Sequence, residues 1–327
     1  MLNASSPLRI ATRASRLAMW QAEHVRDLLK SAAPERAVEI VPLSTIGDRD
    51  KTEPLTRLGG GLGVGVFTRE IQAALLDGRA DIAVHSLKDL PTEQADGLAL
   101  AAVPPRGAMF DVLVLPVGRE SDTSVAASSS LSTLNSQLST GSRIGSGSPR
   151  RRAQLLHHRA DLEFVEARGN VETRLRKLDE GQFDALVLAE AGLTRLELAG
   201  RISAPLRPPL MLPAVGQGAL GIECRSDDES TREVLSRLID RESLHAVLAE
   251  RTVLSTLRAG CHAPLGVWTR PDGDALRLTA VVLSLDGVKR VESERSSPIH
   301  SEQDSIALGR AVADDLLAHG AAALLAH

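Results

Sequence analysis

Apolar positions in the first hundred residues switch repeatedly between two periods. Leu8 to Thr12 is a short β-like run, and Ala18, Ala22, Val25 and Leu29 then recur at helical spacing. Val38 to Leu43 returns to strand character. Thr68 stands as the cap of a helix carrying Ile71 and Leu75, which Gly78 stops, and Asp81 to His85 is the next strand. This alternation predicts an α/β layer with a largely parallel sheet. In such sheets ligands sit outside the carboxyl ends of strands, so the loops after strands are where chemistry is expected.

Gly118 to Ser142 is dense in Ser, Thr, Asn and Gly and reads as a flexible surface segment inside a domain. A second alternating block follows. It has strands at Arg143 to Gly145, Glu163 to Ala167 and Phe183 to Ala189, with helices from Pro149 and Val171. The Pro-rich stretch Pro205 to Pro213 reads as an inter-domain crossing. A long helix from Glu242 to Leu257, strands near Leu276 to Leu283 and a helix near Ile306 to Leu317 make a third, smaller unit. No internal repeat stands out. The expected fold class is α/β: two doubly wound α/β domains plus a smaller α+β C-terminal domain.

Composition narrows the function more than the fold. The 327 residues carry a net charge of −4 and only 2% aromatics, with no Tyr, so platforms for stacking bases are nearly missing and nucleic acid is not the expected partner. Two Cys cannot build a disulfide framework or a Cys-based zinc site, and no metal is expected. Met1 to Pro7 lacks a basic region followed by an apolar stretch, and no run reaches the roughly 18 apolar residues of a membrane span. The expectation is a cytoplasmic protein, with no membrane partner.

Against that acidic background one region is basic. Arg143, Arg150, Arg151, Arg152, Arg159, Arg168, Arg174 and Arg176 face only Asp161, Glu163, Glu166 and Glu172, a surplus of four positive charges. Ser148 is a good N-cap and Pro149 a good first helical residue, so Arg150 and Arg151 fall in a first turn. Cations oppose the helix dipole there unless an anion binds. A solvated basic face and an anion site both fit the block. The second loop, Arg168-Gly169-Asn170, and the preference for Arg over Lys favour the anion site, with Arg13 and Ser15 able to contribute from the first strand-to-helix loop.

Three further features stay open on residue chemistry alone. The run Gly59 to Gly65 lacks the Lys-Ser/Thr pair of a phosphate loop and reads as a lid. In His85-Ser86-Leu87-Lys88-Asp89-Leu90-Pro91, either Lys88 and Asp89 are a turn before proline or Asp89, facing an Arg-lined cleft, is the acid or charge stabiliser of the site. Cys261 lies in the loop Ala259-Gly260-Cys261-His262, whereas Cys224 ends an apolar run and reads as core.

These segments fall in an order that resembles the porphobilinogen deaminase family over nearly the whole chain. The matching stretches are Arg9 to Ser15 (RIATRAS), Ala80 to Pro91 (ADIAVHSLKDLP), Ser148 to Leu155, Arg168 to Arg174, Ala191 to Arg195, Leu212 to Arg225 (LPAVGQGALGIECR) and Ala259 to Cys261. The resemblance implies two lobes similar to solute-binding proteins and a third domain: residues 1–103 with 214–239, then 104–213, then 240–327. It implies a dipyrromethane cofactor on Cys261 through a thioether, held by Arg13, Ser15, Lys88, Asp89, Ser146, Ser148, Arg150, Arg151, Arg168, Gly169, Arg174 and Gln217. Asp89, with Lys88, is then catalytic, and Arg13, Phe67, Arg168 and Arg195 bind substrate. The implied partners are porphobilinogen and the growing linear polypyrrole, handled by a monomer.

The chain also departs from the family pattern. The Lys usual before Gly-Leu-Phe is missing in Val64-Gly65-Val66-Phe67, the usual Thr-Ser-Ser-Leu reads Ser146-Gly147-Ser148-Pro149, and Arg106 to Asp111 is altered. A non-catalytic binder of pyrrole polycarboxylates is the rival reading. Pure binding needs neither Asp89 nor Cys261, and both are present.

Overall fold

A computed structural model describes residues 7–43, 68–119, 131–260 and 262–325. In chain order its strands are β1 (Leu8–Arg13), β2 (Val38–Leu43), β3 (Ile82–Ser86), β4 (Leu98–Ala102), β5 (Asp111–Val114), β6 (Arg143–Gly145), β7 (Glu163–Val165), β8 (Ala185–Ala189), β9 (Ala204–Leu206), β10 (Leu220–Arg225), β11 (Leu265–Asp272), β12 (Ala275–Leu283) and β13 (Arg290–Pro298). The helices are α1 (Arg16–Ala32), α2 (Arg69–Leu76), α3 (Leu131–Gln137), α4 (Pro149–His158), α5 (Val171–Asp179), α6 (Glu190–Arg195), α7 (Glu229–Ser236), α8 (Arg241–Thr256), α9 (Glu302–Ala318) and α10 (Ala321–Leu325). The chain forms two compact units, Met1–Gly107 with Ala219–Leu244, and Ala108–Gly218 with His245–His327.

The first unit holds a five-stranded sheet in the order β2-β1-β3-β10-β4. Its two faces are both covered, as a parallel-rich sheet requires. On one face, Ala22, Val25 and Leu29 of α1 and Val234 and Leu235 of α7 pack on Ile10, Val84 and Ile222. On the other, Ile71 and Leu75 of α2 meet Ala11, Ala83 and Leu98. The second unit repeats the plan in its first sheet, β7-β6-β8-β5-β9. Leu134 of α3 and Leu155 of α4 cover one face, and Leu175 and Leu178 of α5 with Leu193 of α6 cover the other.

The duplication extends to a side-chain lock. The backbone N–H of Arg9 donates to Asp81 Oδ2 at 2.9 Å and its guanidinium to both carboxylate oxygens, while the Asp81 N–H returns to the Arg9 carbonyl. Arg143 and Asp184 make the same set, with N–H to Oδ2 at 2.7 Å. In each case the aspartate sits just before a strand and takes a backbone donor from its parallel neighbour, so it fixes register as well as charge. Arginine at the start of one strand and aspartate before the next is a repeat too sparse to notice in the sequence.

Each of these two sheets is largely parallel, as expected, with one reversed strand. β10 runs antiparallel to β3 and β4, and β5 antiparallel to β8 and β9. Each reversed strand is the first after the chain crosses between units, so it enters its sheet from the other end. The segment read as flexible up to Ser142 is in part a helix. Residues 120–130 lie outside the described residues, but Leu131 to Gln137 is a helix, because Leu134 and Leu138 three and seven places along are buried in the core.

The second unit also carries a three-stranded antiparallel sheet, β11-β12-β13. Val253 of α8, Leu257 just past its end, and Leu308, Val312 and Leu316 of α9 cover it. Gly309 is needed where α9 meets α8: a Cβ there would collide with the carbonyl of Ala249. The Ser301–Asp304 capping box starts α9. Among the described residues no helix is long and apolar enough to cross a membrane.

Candidate functional site

In the first unit, β1 and β3 end side by side, and a cleft opens beyond their carboxyl ends. Arg13, Ser15, Gln21, Thr68, His85, Ser86 and Asp89 line it. The place follows from topology: β1 lies between β2 and β3, so the connections from β1 and β3 leave on opposite sides and part there. Ser15 caps α1, its Oγ accepting from the Ala18 N–H at 3.4 Å. Gln21, on the next turn, donates from Nε2 to Ser86 Oγ at 2.7 Å.

Lys88 and Asp89 lie on a single 3-10 turn, Leu87–Asp89. Leu87 anchors it: the side chain is buried, and its N–H donates to the Ala219 carbonyl at 3.0 Å. Gly221 lets Leu87 in, because a Cβ there would lie 2.7 Å from Leu87 Cδ1. Lys88 is half-buried and Asp89 is exposed at the cleft. Behind them, His85 Nε2 lies 2.9 Å from Glu223 Oε2, both side chains buried.

In the second unit the arginines gather around two helix starts, with Arg195 at the end of a third helix. Ser148 caps α4, its Oγ accepting from Arg151 N at 3.5 Å, and Ser146 Oγ accepts from Ser148 N at 3.2 Å. Arg150 and Arg151 are not on a solvated face; they are 4% and 7% exposed. Asp111 accounts for that. Its Oδ2 takes Arg150 at 2.6 Å and its Oδ1 takes Arg151 Nε at 2.9 Å. The carbonyls of Leu212 and Val187 take a further donor from each, at 2.7 and 2.9 Å. Two cations against one carboxylate leave a net positive charge at a helix N-terminus, which is suited to an anion.

Gly169 takes φ +105°, a left-handed backbone that lets Arg168 turn into the Asn170 cap of α5. Arg168 pairs with Glu166 at 2.7 Å, which raises its pKa, and Arg174 Nε donates to the Gly169 carbonyl at 2.8 Å. Arg195, on α6, donates to the Gly218 carbonyl at 2.6 Å, and burial pulls its pKa down to about 10, still charged at neutral pH. Gln217 Nε2 donates to the Met109 carbonyl at 2.8 Å. Buried Glu250 fixes the same loop, accepting from Gly216 N at 2.8 Å and Thr269 Oγ1 at 2.6 Å.

The structure therefore brings Arg13, Ser15 and Asp89 into one cleft of the first unit. Ser146, Ser148, Arg150, Arg151, Arg168, Gly169, Arg174, Arg195 and Gln217 all belong to the second. Phe67, Val64, the Gly59 to Gly65 run and Cys261 lie outside the described residues. Sequence reading missed Gln21, Glu223, Glu250 and above all Asp111; the last opens a strand buried at every residue. Cys224 is the core residue expected, its thiol pushed up to about 11 by burial. Among the described residues no cluster of His, Cys, Asp and Glu is placed to hold a metal ion. The donor set fits a carboxylated pyrrole: guanidinium forks for carboxylates, and an exposed carboxylate for ring N–H groups.

Comparison with known proteins agrees with that chemistry. The family model "Porphobilinogen deaminase, dipyromethane cofactor binding domain" matches residues 8–233, and "Porphobilinogen deaminase, C-terminal domain" matches residues 244–318. The porphobilinogen deaminase of Syntrophotalea carbinolica is 44% identical over 322 residues, 98% of this chain and 96% of that one. The one from Maridesulfovibrio salexigens is 42% identical over 318 residues, 97% of each. Among solved structures, the second substrate-binding domain of a putative amino acid ABC transporter from Streptococcus pneumoniae aligns at a TM-score of 0.42 and 10% identity, covering 71% of this chain and 92% of that one. That likeness is too loose to carry an argument.

Proposed function

Because this chain belongs to the porphobilinogen deaminase family, we propose that it joins four porphobilinogen molecules head to tail, with loss of ammonia, and releases hydroxymethylbilane for tetrapyrrole synthesis. The growing chain starts on a dipyrromethane bound through a thioether to Cys261. That residue lies between the end of α8 and the start of β11, flanked by Gly260. When bound, the dipyrromethane supplies the nucleophilic pyrrole carbon at which growth begins. The reading divides the chain at the stated boundaries, 1–103 with 214–239, 104–213 and 240–327, and it is supported by three sheets, each with a core cluster, although Ala153 and Leu212 pack with Val281 and Leu283 to join the last two. It concerns a soluble, charged substrate, which suits a cytoplasmic enzyme, and no step in it requires a second copy.

The observation that carries the reading is the shared cleft of Arg13 and Asp89. Arg13 and Ser15 hold substrate carboxylates there. Asp89, an exposed carboxylate fixed by the buried Leu87, faces the pyrrole N–H as ammonia departs and positive charge spreads into the ring. An anion aimed at developing charge lowers the barrier. Lys88, beside it, binds a carboxylate of the chain. Arg150, Arg151, Ser146, Ser148, Arg168, Gly169, Arg174 and Gln217 hold the acetate and propionate groups of the cofactor, and Arg168 and Arg195 those of incoming rings. Each added ring brings two carboxylates, which accounts for the number of arginines.

Asp89→Asn keeps the shape and removes the charge. With cofactor occupancy established by intact mass, the variant should turn over porphobilinogen at least about a hundredfold more slowly. Asp89→Glu should retain more activity than Asp89→Asn. Near-normal turnover in Asp89→Asn would reduce Asp89 to a turn residue ahead of Pro91.

A further inference from the structure

One acid stands among the arginines of the second unit and has no part in that mechanism. Strands β6 and β7 run parallel, and Ser146 N donates to the Val165 carbonyl at 2.9 Å, so the turns into α4 and α5 leave the sheet side by side. Ligands bind beyond such strand ends. Glu166 is the first residue past β7, and it lies against the turn into α4: a Cβ on Gly147 would stand 3.8 Å from Glu166 Cγ and 3.9 Å from its Oε1. A negative charge there repels the carboxylates that the neighbouring arginines are placed to take.

The partner of Glu166 gives that charge a use. Its Oε1 accepts from Arg168 Nε at 2.7 Å. This pair differs in kind from the set around Asp111. Asp111, Arg150 and Arg151 are all buried, and backbone carbonyls take a further donor from each guanidinium, so that set cannot open without stranding charge away from water. The Arg168 and Glu166 side chains are 39% and 59% exposed, and water can stand in for either partner. An exposed pair contributes little to stability, so one carboxylate can replace another on Arg168 at almost no cost. Exposed side chains also change rotamer within nanoseconds, far faster than a catalytic cycle.

We propose that Glu166 is a resident competitor: it occupies Arg168 while the site is empty, yields it to a carboxylate of an incoming ring, and takes it back when that carboxylate leaves. This role rests on the porphobilinogen reading above. One carboxylate exchanges for another on a single guanidinium; no covalent bond changes and no proton moves. The consequence is shallow binding at Arg168. A site that takes up further carboxylates with every ring and then releases the whole chain works with replaceable contacts, because a ligand held too firmly leaves slowly.

Two measurements test this, on variants shown to be folded by thermal melting. The first titrates tricarballylate, a tricarboxylate with neither amine nor pyrrole, into wild type, Glu166→Gln, Arg168→Gln and the double variant by calorimetry. Glu166→Gln keeps the shape and removes the charge, so it should bind tricarballylate about two- to fivefold more tightly, the scale of one exposed ion pair. In the Arg168→Gln background the same change should alter affinity by less than about 1.5-fold, because no guanidinium remains to be released. The second measurement is KM for porphobilinogen on the cofactor-loaded protein, which should fall by about two- to fivefold in Glu166→Gln. A glutamate that merely orients Arg168 gives the opposite sign, weaker tricarballylate binding and a higher KM, and that result overturns the proposal. Unchanged affinity in Glu166→Gln, or no measurable binding to it, overturns it too. Equal tightening in both backgrounds does the same, since it would make Glu166 a diffuse source of repulsion. A wild-type chain that leaves porphobilinogen unconsumed overturns the underlying function, while the tricarballylate cycle still decides the role of Glu166, so the two failures are distinct.

Discussion

Removing Asp111 should destabilise the second unit far more than removing a surface carboxylate would. The side chain is 1% exposed and holds Arg150 at 2.6 Å and Arg151 at 2.9 Å. Asp111→Ala leaves the carbonyls of Leu212 and Val187 as acceptors but withdraws the counter-charge of two guanidinium groups that are themselves buried. Breaking a buried pair costs about 3–5 kcal/mol, and the surviving carbonyl bonds place this case near the lower end. The two Trp residues make the assay specific, since Trp20 lies in the first unit and Trp268 in the second. In a Trp20→Phe background, urea unfolding followed by fluorescence reports the second unit alone. With a slope of about 3 kcal/mol/M, the midpoint should fall by about 1 M. The loss should persist in 0.5 M salt, on the order of a 4 Å screening length, because a buried pair is poorly screened. A midpoint within about 0.2 M of the parent would refute the reasoning and mean that water replaces Asp111 without penalty.

Three further outcomes follow from single residues. Gly169→Ala should cost about 1–2 kcal/mol and weaken anion binding at Arg168, since φ is +105° and the new Cβ would lie 2.8 Å from Thr173 Cγ2; calorimetry and a carboxylate-binding titration check both. Arg159 holds the Asp161 carboxyl at about 2, below its ordinary 3.8, so the stability this pair lends is complete above pH 3.8 and is lost as pH falls through 2. Arg159→Ala should bring the Asp161 titration, followed by carboxyl NMR, back toward 3.8. The Cys224 thiol, buried and pushed up to about 11, should resist a thiol reagent at pH 8 in the native state and react on unfolding.

Alternation of short apolar runs with helical periods was enough to locate most helices and the strands β1, β2, β3, β6, β7, β8 and β12. It missed β5, a four-residue buried strand that Asp111 opens, because no helical period flanks it and a charged residue stands where an apolar one is expected. Direction was beyond the sequence as well: β10 and β5 look like any other apolar strand, and only the crossing of the chain reverses them. At the site, Arg150 and Arg151 were legible as cations at a helix start, but their partner lies 39 and 40 residues away, so burial had no local signal. Glu223 and Glu250 were hidden for the same reason. Each is one acid in an apolar stretch, and its partners come from other elements.

The account turns on a covalent pyrrole anchor at Cys261, and one measurement tests it most directly: the intact mass of the wild-type, Cys261→Ser and Cys224→Ser proteins, all purified from a porphobilinogen-producing cell. The account predicts a dipyrromethane increment on the wild type and on Cys224→Ser, with none on Cys261→Ser. An increment that survives in Cys261→Ser, or a wild-type chain at its bare polypeptide mass, would contradict it.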